Sequence, residues 1–156
     1  MNKKEAVPFG RYFEDFQVGA IYHHRIRKTI TESDNNLFCL ITMNHHPAHL
    51  DLEYAQDSQH GNILVVGTLI FSLVVGLTVA DISGRAIANL MYENINHDGP
   101  VFIGDTIHAN TEIIEINNSR TKNDRGIIKV KTCAYNQDDK LILTFSRKVL
   151  VPKQNV

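Results

Sequence analysis

The nine residues MNHHPAHLD, Met43 to Asp51, hold three of the chain's eight histidines together with an aspartate. Imidazole changes charge near neutral pH, so such a run can carry protons, bind a metal ion, or simply stay solvated. His45, His49 and Asp51 offer nitrogen and oxygen atoms to a divalent ion. Their spacing, however, lacks the usual short ligand pairs, and Pro47 interrupts any helical i, i+4 arrangement. No metal is expected. Solvation is the ordinary reading for His45 and, elsewhere, for His23, His24, His60, His97 and His108. Asp51 reads as the cap of a short helix rather than as an acid.

The chain that carries this run has 156 residues, a length suited to one domain, taken here as residues 1–156. Sixteen basic residues against seventeen acidic ones give a formal charge of -1 with no long run of either sign, so no nucleic-acid partner is expected. Cys39 and Cys133 both sit within apolar patterns, and MNKKEAVPFG has no apolar stretch of the kind a secretory signal uses. The expectation is a cytoplasmic protein with reduced thiols. ILVVGTLIFSLVVGLTVA, from Ile63 to Ala80, runs uncharged for eighteen residues, the lower limit of a membrane span. It lacks Lys or Arg flanks, and Gly67-Thr68 reads as a helix start inside it, which leaves about fourteen residues of buried core helix and no membrane partner.

These residues need elements to position them. AIYHHRIRKTI, Ala20 to Ile30, reads as a strand. Thr31 then caps a short helix with acidic residues in its first turn, and Leu37, Leu40 and Ile41 recur at helical spacing to about Thr42. Pro47 prevents the helix from continuing past the histidines. A second short helix starts at Asp51, and Gly61 releases the chain before the long apolar helix. From about residue 86 the pattern becomes strand-like: AIANLMYENIN, then IHANTEIIEI and GIIKVKTCAY with period-two alternation, then LILTFSRKVLV after the turn NQDDK. The last two runs should form an antiparallel hairpin. The sum is an α+β domain in which a five-stranded antiparallel sheet wraps a long apolar central helix.

In that arrangement the chain resembles the hot-dog fold, and its motifs resemble the MaoC-like dehydratase branch, the (R)-specific enoyl-CoA hydratases and their relatives. RYFEDFQVG at Arg11 to Gly19, TITESDNNLFCLITMNHHPAHLD at Thr29 to Asp51, the helix near Gly67, and GPVFIGDTIHA at Gly99 to Ala109 carry the resemblance. Their wording is nearest to proteins resembling mesaconyl-CoA hydratases, also called β-methylmalyl-CoA dehydratases. The family's catalytic loop pairs an Asp with the His of Pro-x-His-x-Asp. Pro47, His49 and Asp51 match it, whereas the family's Asp position falls on Asn44, and His46 stands where Asn commonly precedes the proline.

The resemblance implies a hydro-lyase acting on a short-chain enoyl-CoA or 3-hydroxyacyl-CoA thioester, with branched and dicarboxylic chains left open. Such a reaction needs a base for the attacking water, a proton donor to Cα, and stabilisation of the thioester oxyanion. His49 is the expected proton carrier and His46 a second participant. An amide cannot be a carboxylate base, so Asn44 is expected to orient water. The amides of Gly67 or Thr68, at the positive end of the long helix, are expected to bind the substrate oxygen. Arg25 and Arg27 could meet the CoA phosphates or a substrate carboxylate, although alternating basic residues on a strand usually face solvent. No cofactor beyond the substrate's own CoA is implied, and a homodimer or higher homo-oligomer is expected. Two alternatives stand beside this reading. One is a hot-dog thioesterase, disfavoured because Ile63 to Ala80 holds no carboxylate. The other is an acyl-CoA or acyl-carrier binding protein without turnover, which Asn44 motivates.

Overall fold

The computed structural model describes residues 9–154. Residues 1–8, which hold most of the stretch read above against a secretory signal, and residues 155–156 lie outside them. Six strands form the sheet: β1 (Ile21–His23), β2 (Lys28–Thr29), β3 (Ala88–His97), β4 (Thr106–Asn118), β5 (Arg125–Tyr135) and β6 (Leu141–Pro152). The order is β1-β4-β5-β6-β3, with β2 also paired to β4, and all pairings are antiparallel. The expected β5–β6 hairpin is present. Its turn is held by Asn136 Oδ1, which accepts from the N–H groups of Asp138 and Lys140 at 3.0 and 3.1 Å.

The strand count is six rather than five because the segment expected as one strand, Ala20 to Ile30, is broken at His24. There the chain turns the imidazole into the core while Arg25 and Arg27 stay in solvent. His24 is thus buried, contrary to the solvated reading. The long helix is α3 (Gly67–Leu77), eleven residues instead of about fourteen, and it begins at Gly67 as expected before passing into a π-helical turn at Val79–Ser83. No helix among the described residues is long and apolar enough to cross a membrane.

Inward-facing residues alternate along β4, β5 and β6, and the sheet curves over one face of α3. Ile70, Val74 and Leu77 recur at i, i+4 and i+7 and pack with Ile107, Ala109, Ala134, Leu143 and Phe145. Burying each such aliphatic side chain contributes about 1.5–3 kcal/mol. This is the hot-dog arrangement. The opposite face of α3 is less covered: Thr68, Ser72 and Gly76 are exposed.

A polar seam divides this apolar cluster from a second one, around Ile82, Ile113, Ile128, Val130 and Val149. Thr111 on β4, Thr132 on β5 and Arg147 on β6 occupy the seam, all fully buried. His24 Nδ1 donates to the Asp81 carboxylate at 2.8 Å. Its Nε2 then accepts from the Thr111 hydroxyl at 2.8 Å, and Thr111 accepts from Thr132 at 2.9 Å. Arg147 Nη2 donates to Thr78 Oγ1 at 2.7 Å, at the C-terminal end of α3 where a cation is favoured. Cys39 and Cys133 are both free, and burial pushes the Cys39 thiol up.

α1 (Glu32–Thr42) starts at Thr31 and ends where expected. Its capping box pairs Thr31 with Asp34, and the Lys28 ammonium together with Thr31 holds the Asp34 carboxyl down at about 2. The residues that gave α1 its apolar periodicity are not the ones that anchor it. Leu37, Leu40 and Ile41 are 60%, 66% and 69% exposed, while Asn35 and Cys39 are buried.

Burial pushes His24 below the ordinary histidine value of 6.5, outweighing the hydrogen bond and charge of Asp81, with Arg147 and His23 acting in the same direction as burial. The folded state therefore binds fewer protons than the unfolded chain just below pH 6.5, so this contribution is present above that pH and is lost as the pH falls through the window. Urea unfolding between pH 8 and 5 should show stability dropping toward the acid side, with a flatter dependence in His24→Gln. An identical slope in both proteins would contradict the assignment.

Candidate functional site

α1 ends at Met43, whose left-handed backbone (φ 56°) reverses the chain into the histidine run. The Asn44 N–H donates to Cys39 O at 3.0 Å, and Asn44 Oδ1 accepts a long 3.4 Å bond from the His46 N–H, so this half-buried amide is engaged within its own loop. His46 then caps a single 3₁₀ turn, Pro47–His49, with Nδ1 accepting from the Ala48 N–H at 3.1 Å. In the neutral ring its proton is thus on Nε2, which can donate but not accept.

His49 closes that turn and is half-buried. Its Nδ1 lies 2.6 Å from the carbonyl oxygen of Leu64. A carbonyl only accepts, so Nδ1 carries the proton and Nε2 is left with its lone pair free for chemistry. The rings of His46 and His49 stand 6.0 Å apart. Asp51 caps α2 (Leu52–Gln56), accepting from the Tyr54 N–H at 3.1 Å, as its sequence context suggested. Among the described residues no three His, Cys, Asp or Glu side chains are grouped to hold a metal ion.

The segment that receives His49 leads directly into α3. The Leu64 N–H bonds to Ala48 O at 3.1 Å, and the Val65 N–H to Val101 O at 2.9 Å. Val66 is the N-cap, and its carbonyl takes the amides of Leu69 and Ile70. The N–H groups of Gly67 and Thr68 lie ahead of that ladder, where a helix has donors to offer and the positive end of its dipole. Gly67 is half-buried and Thr68 exposed. A Cβ at Gly67 would fall 2.9 to 3.2 Å from three atoms of the His97 ring, so that exposed side chain would have to shift to admit one.

One residue that the sequence pattern did not single out joins the two halves. Asn35, fully buried on α1, donates from Nδ2 to His49 O at 2.8 Å and accepts at Oδ1 from the Val66 N–H at 3.1 Å. A single amide thereby sets the backbone of the histidine loop against the start of α3. The available signal was Asn inside a helix, where it is a poor former and usually has a hydrogen-bonding reason to be.

Beside Gly67 a cavity of about 370 Å³ opens between α3 and the end of β3. Leu64, Val65, Ile70 and Val101 form apolar wall, and His60 and His97 give it a polar side. Both histidines line it while staying exposed, in keeping with the solvated reading. Arg25 and Arg27 are both exposed, away from it.

A family model described as MaoC like domain matches residues 15–135, and the chain belongs to that family. It is 31% identical over 146 residues to a mesaconyl-CoA hydratase of Cereibacter sphaeroides, covering 94% of this chain and 42% of that protein. Among solved structures, a MaoC domain protein from Chloroflexus aurantiacus superposes with a TM-score of 0.92 at 30% identity, over 98% of this chain and 43% of that one. A Mycobacterium tuberculosis protein described as having a double hotdogfold matches with a TM-score of 0.85 at 22% identity, over 94% and 45% of the two chains. The chain therefore spans a little over two fifths of these longer proteins.

Replacing Asn35 by Leu leaves the buried His49 carbonyl and Val66 N–H without partners, each costing about 1–3 kcal/mol. Urea unfolding should show Asn35→Leu less stable by about 2–4 kcal/mol; a loss below about 0.5 kcal/mol would mean that the bridge is dispensable.

Proposed function

We propose that this chain is a hydro-lyase that adds water to, or removes it from, a short enoyl or 3-hydroxyacyl CoA thioester. The observation that carries this reading is the pinned tautomer of His49, which leaves a free Nε2 on a loop bonded to the segment that begins α3. In the hydration direction Nε2 takes a proton as water oxygen bonds to Cβ. The electron pair of the double bond moves toward the thioester carbonyl, and the proton is then delivered to Cα. The developing oxyanion is received by the amide of Gly67 or Thr68, aided by the helix dipole.

Asn44 orients the water rather than moving a proton. His46, whose Nδ1 is occupied as a cap, takes part as a donor from Nε2 and as the support of the turn. Proton removal then falls to His49 alone. The similarity to a mesaconyl-CoA hydratase supports a thioester substrate of this kind. A binding module without turnover is the second reading, favoured by one observation, the amide of Asn44 where the family's motif has a carboxylate.

Loss of ultraviolet absorbance from an enoyl thioester reads the reaction directly. His49→Ala should lower kcat by about 10²–10⁴-fold and Asn44→Ala by less. A fully active His49→Ala protein would end the proposal, and thioester binding without any turnover by the unmodified chain would favour the module.

We propose further that a second copy of the chain covers β3 and the open face of α3. β3 is an outermost strand with one edge unpaired among the described residues, and Leu90, Met91, Tyr92 and Ile95 on it are exposed. An apolar free edge is a surface that proteins normally cover. The exposed small residues Thr68, Ser72 and Gly76 permit close approach to α3. The longer Mycobacterium tuberculosis protein described as having a double hotdogfold supports a second such unit beside this one. Light scattering should give a mass of at least two chains, and Met91→Lys with Ile95→Lys should shift it toward one; a monomeric unmodified protein would refute the pairing.

A further inference from the structure

We propose that His46 is a titratable cap: proton uptake on its ring releases the 3₁₀ turn that positions His49, so mild acid disarms the site through a residue other than the proton carrier. The release of the cap follows from the geometry of the turn alone, and its consequence for turnover rests on the hydro-lyase reading. His46 is the N-cap of Pro47–His49, and its exposed ring is open to water. Pro47 has no N–H, and the His49 N–H bonds to the His46 carbonyl at 3.0 Å. The Ala48 N–H is therefore the one donor at the start of the turn left for a side chain, and His46 Nδ1 takes it at 3.1 Å. That contact needs a lone pair on Nδ1, which the neutral ring has and the imidazolium, with a proton on each nitrogen, lacks. Proton and cap exclude one another.

Caps made by Ser, Thr, Asn or Asp keep their acceptor in mild acid, whereas an imidazole changes charge near neutral pH. His49 stands in the same turn with its ring 6.0 Å from that of His46, and Tyr54 of α2 meets the His46 ring at the same distance. His45 precedes it in the chain and is exposed. The Asp51 carboxylate accepts from the Tyr54 N–H, and among the described residues no carboxylate forms an ion pair with His46. Nothing anionic therefore holds a charged His46 ring in its capping place. The other bonds of the turn act on its carbonyls: the Leu64 N–H bonds to Ala48 O, and Asn35 Nδ2 to His49 O. They keep the loop attached to α3 after the cap opens, so the effect is a loosened His49 and not an unfolded chain.

Amide hydrogen exchange followed by NMR from pH 8 to 5, corrected for the intrinsic rate, reads the Ala48 N–H directly. In the unmodified chain its protection should fall by roughly 2- to 30-fold toward acid, the range that loss of a cap corresponds to. His46→Asn keeps a good cap that does not titrate and should hold protection constant, while His46→Ala should lack it at every pH. Constant protection in the unmodified chain, or the same fall in His46→Asn, would overturn the proposal. The consequence for His49 is read from kcat/KM for crotonyl-CoA over the same range, each protein normalised to its own value at pH 8. The unmodified chain should lose activity more steeply toward acid than His46→Asn, and superimposable profiles would overturn the positioning role. An Ala48 response without any turnover removes only the hydro-lyase, whereas turnover with a flat Ala48 response removes only the titratable cap.

Discussion

The two hydrogen bonds of Asn35 are the constraint on which the site depends. A 3₁₀ turn of three residues has little stability of its own, and the N-terminus of a helix leaves donors that must be satisfied or put to use. The buried Asn35 amide meets one need from each side, taking the carbonyl of His49 and the N–H of Val66. Leu64 adds the second tie, since its carbonyl orients the His49 ring and its N–H bonds to Ala48. His49 and the start of α3 are thus held together because they share a few backbone groups, not because the residues are near in sequence.

The scaffold behind this junction is rigid for a different reason. α3 packs its Ile70, Val74 and Leu77 face into the curve of the sheet, and its C-terminal end meets a seam where Asp81, His24, Thr111 and Thr132 form one hydrogen-bonded chain and Arg147 donates to Thr78, its Nε alone left without a partner. Buried polar groups of this kind are costly when unpaired, so the seam fixes the level at which α3 sits against the strands. The end of α3 away from the seam then faces His97 and the cavity. Placing the polar pairs at one end of the helix leaves the other end's first amides outside that network.

The surfaces left apolar have a common character. Leu37, Leu40 and Ile41 on α1 and Leu90, Met91 and Ile95 on β3 are more exposed than a chain of this size needs. An amphipathic pattern tells that a face will be covered, and not by what. In α1 the helical period was correctly legible, but burial went to Asn35 and Cys39, because two strong hydrogen bonds to backbone decided the roll of the helix.

Local rules written in the sequence determined much here: the Thr31 cap and the length of α1, the stop at Pro47, the start of α3 at Gly67, the cap at Asp51, and the β5–β6 hairpin all follow from φ preferences and short-range hydrogen bonding. The motif also singled out His49, whose role as proton carrier is proposed above. Only the tertiary structure decided which tautomer His49 adopts, that Asn35 links it to α3, that His24 leaves its strand for Asp81, and that His97 lies against Gly67. Those contacts join residues between 14 and 57 positions apart. No periodicity or spacing encodes them, because they arise where separate elements meet and each buried polar atom takes whichever partner the packing brings within reach.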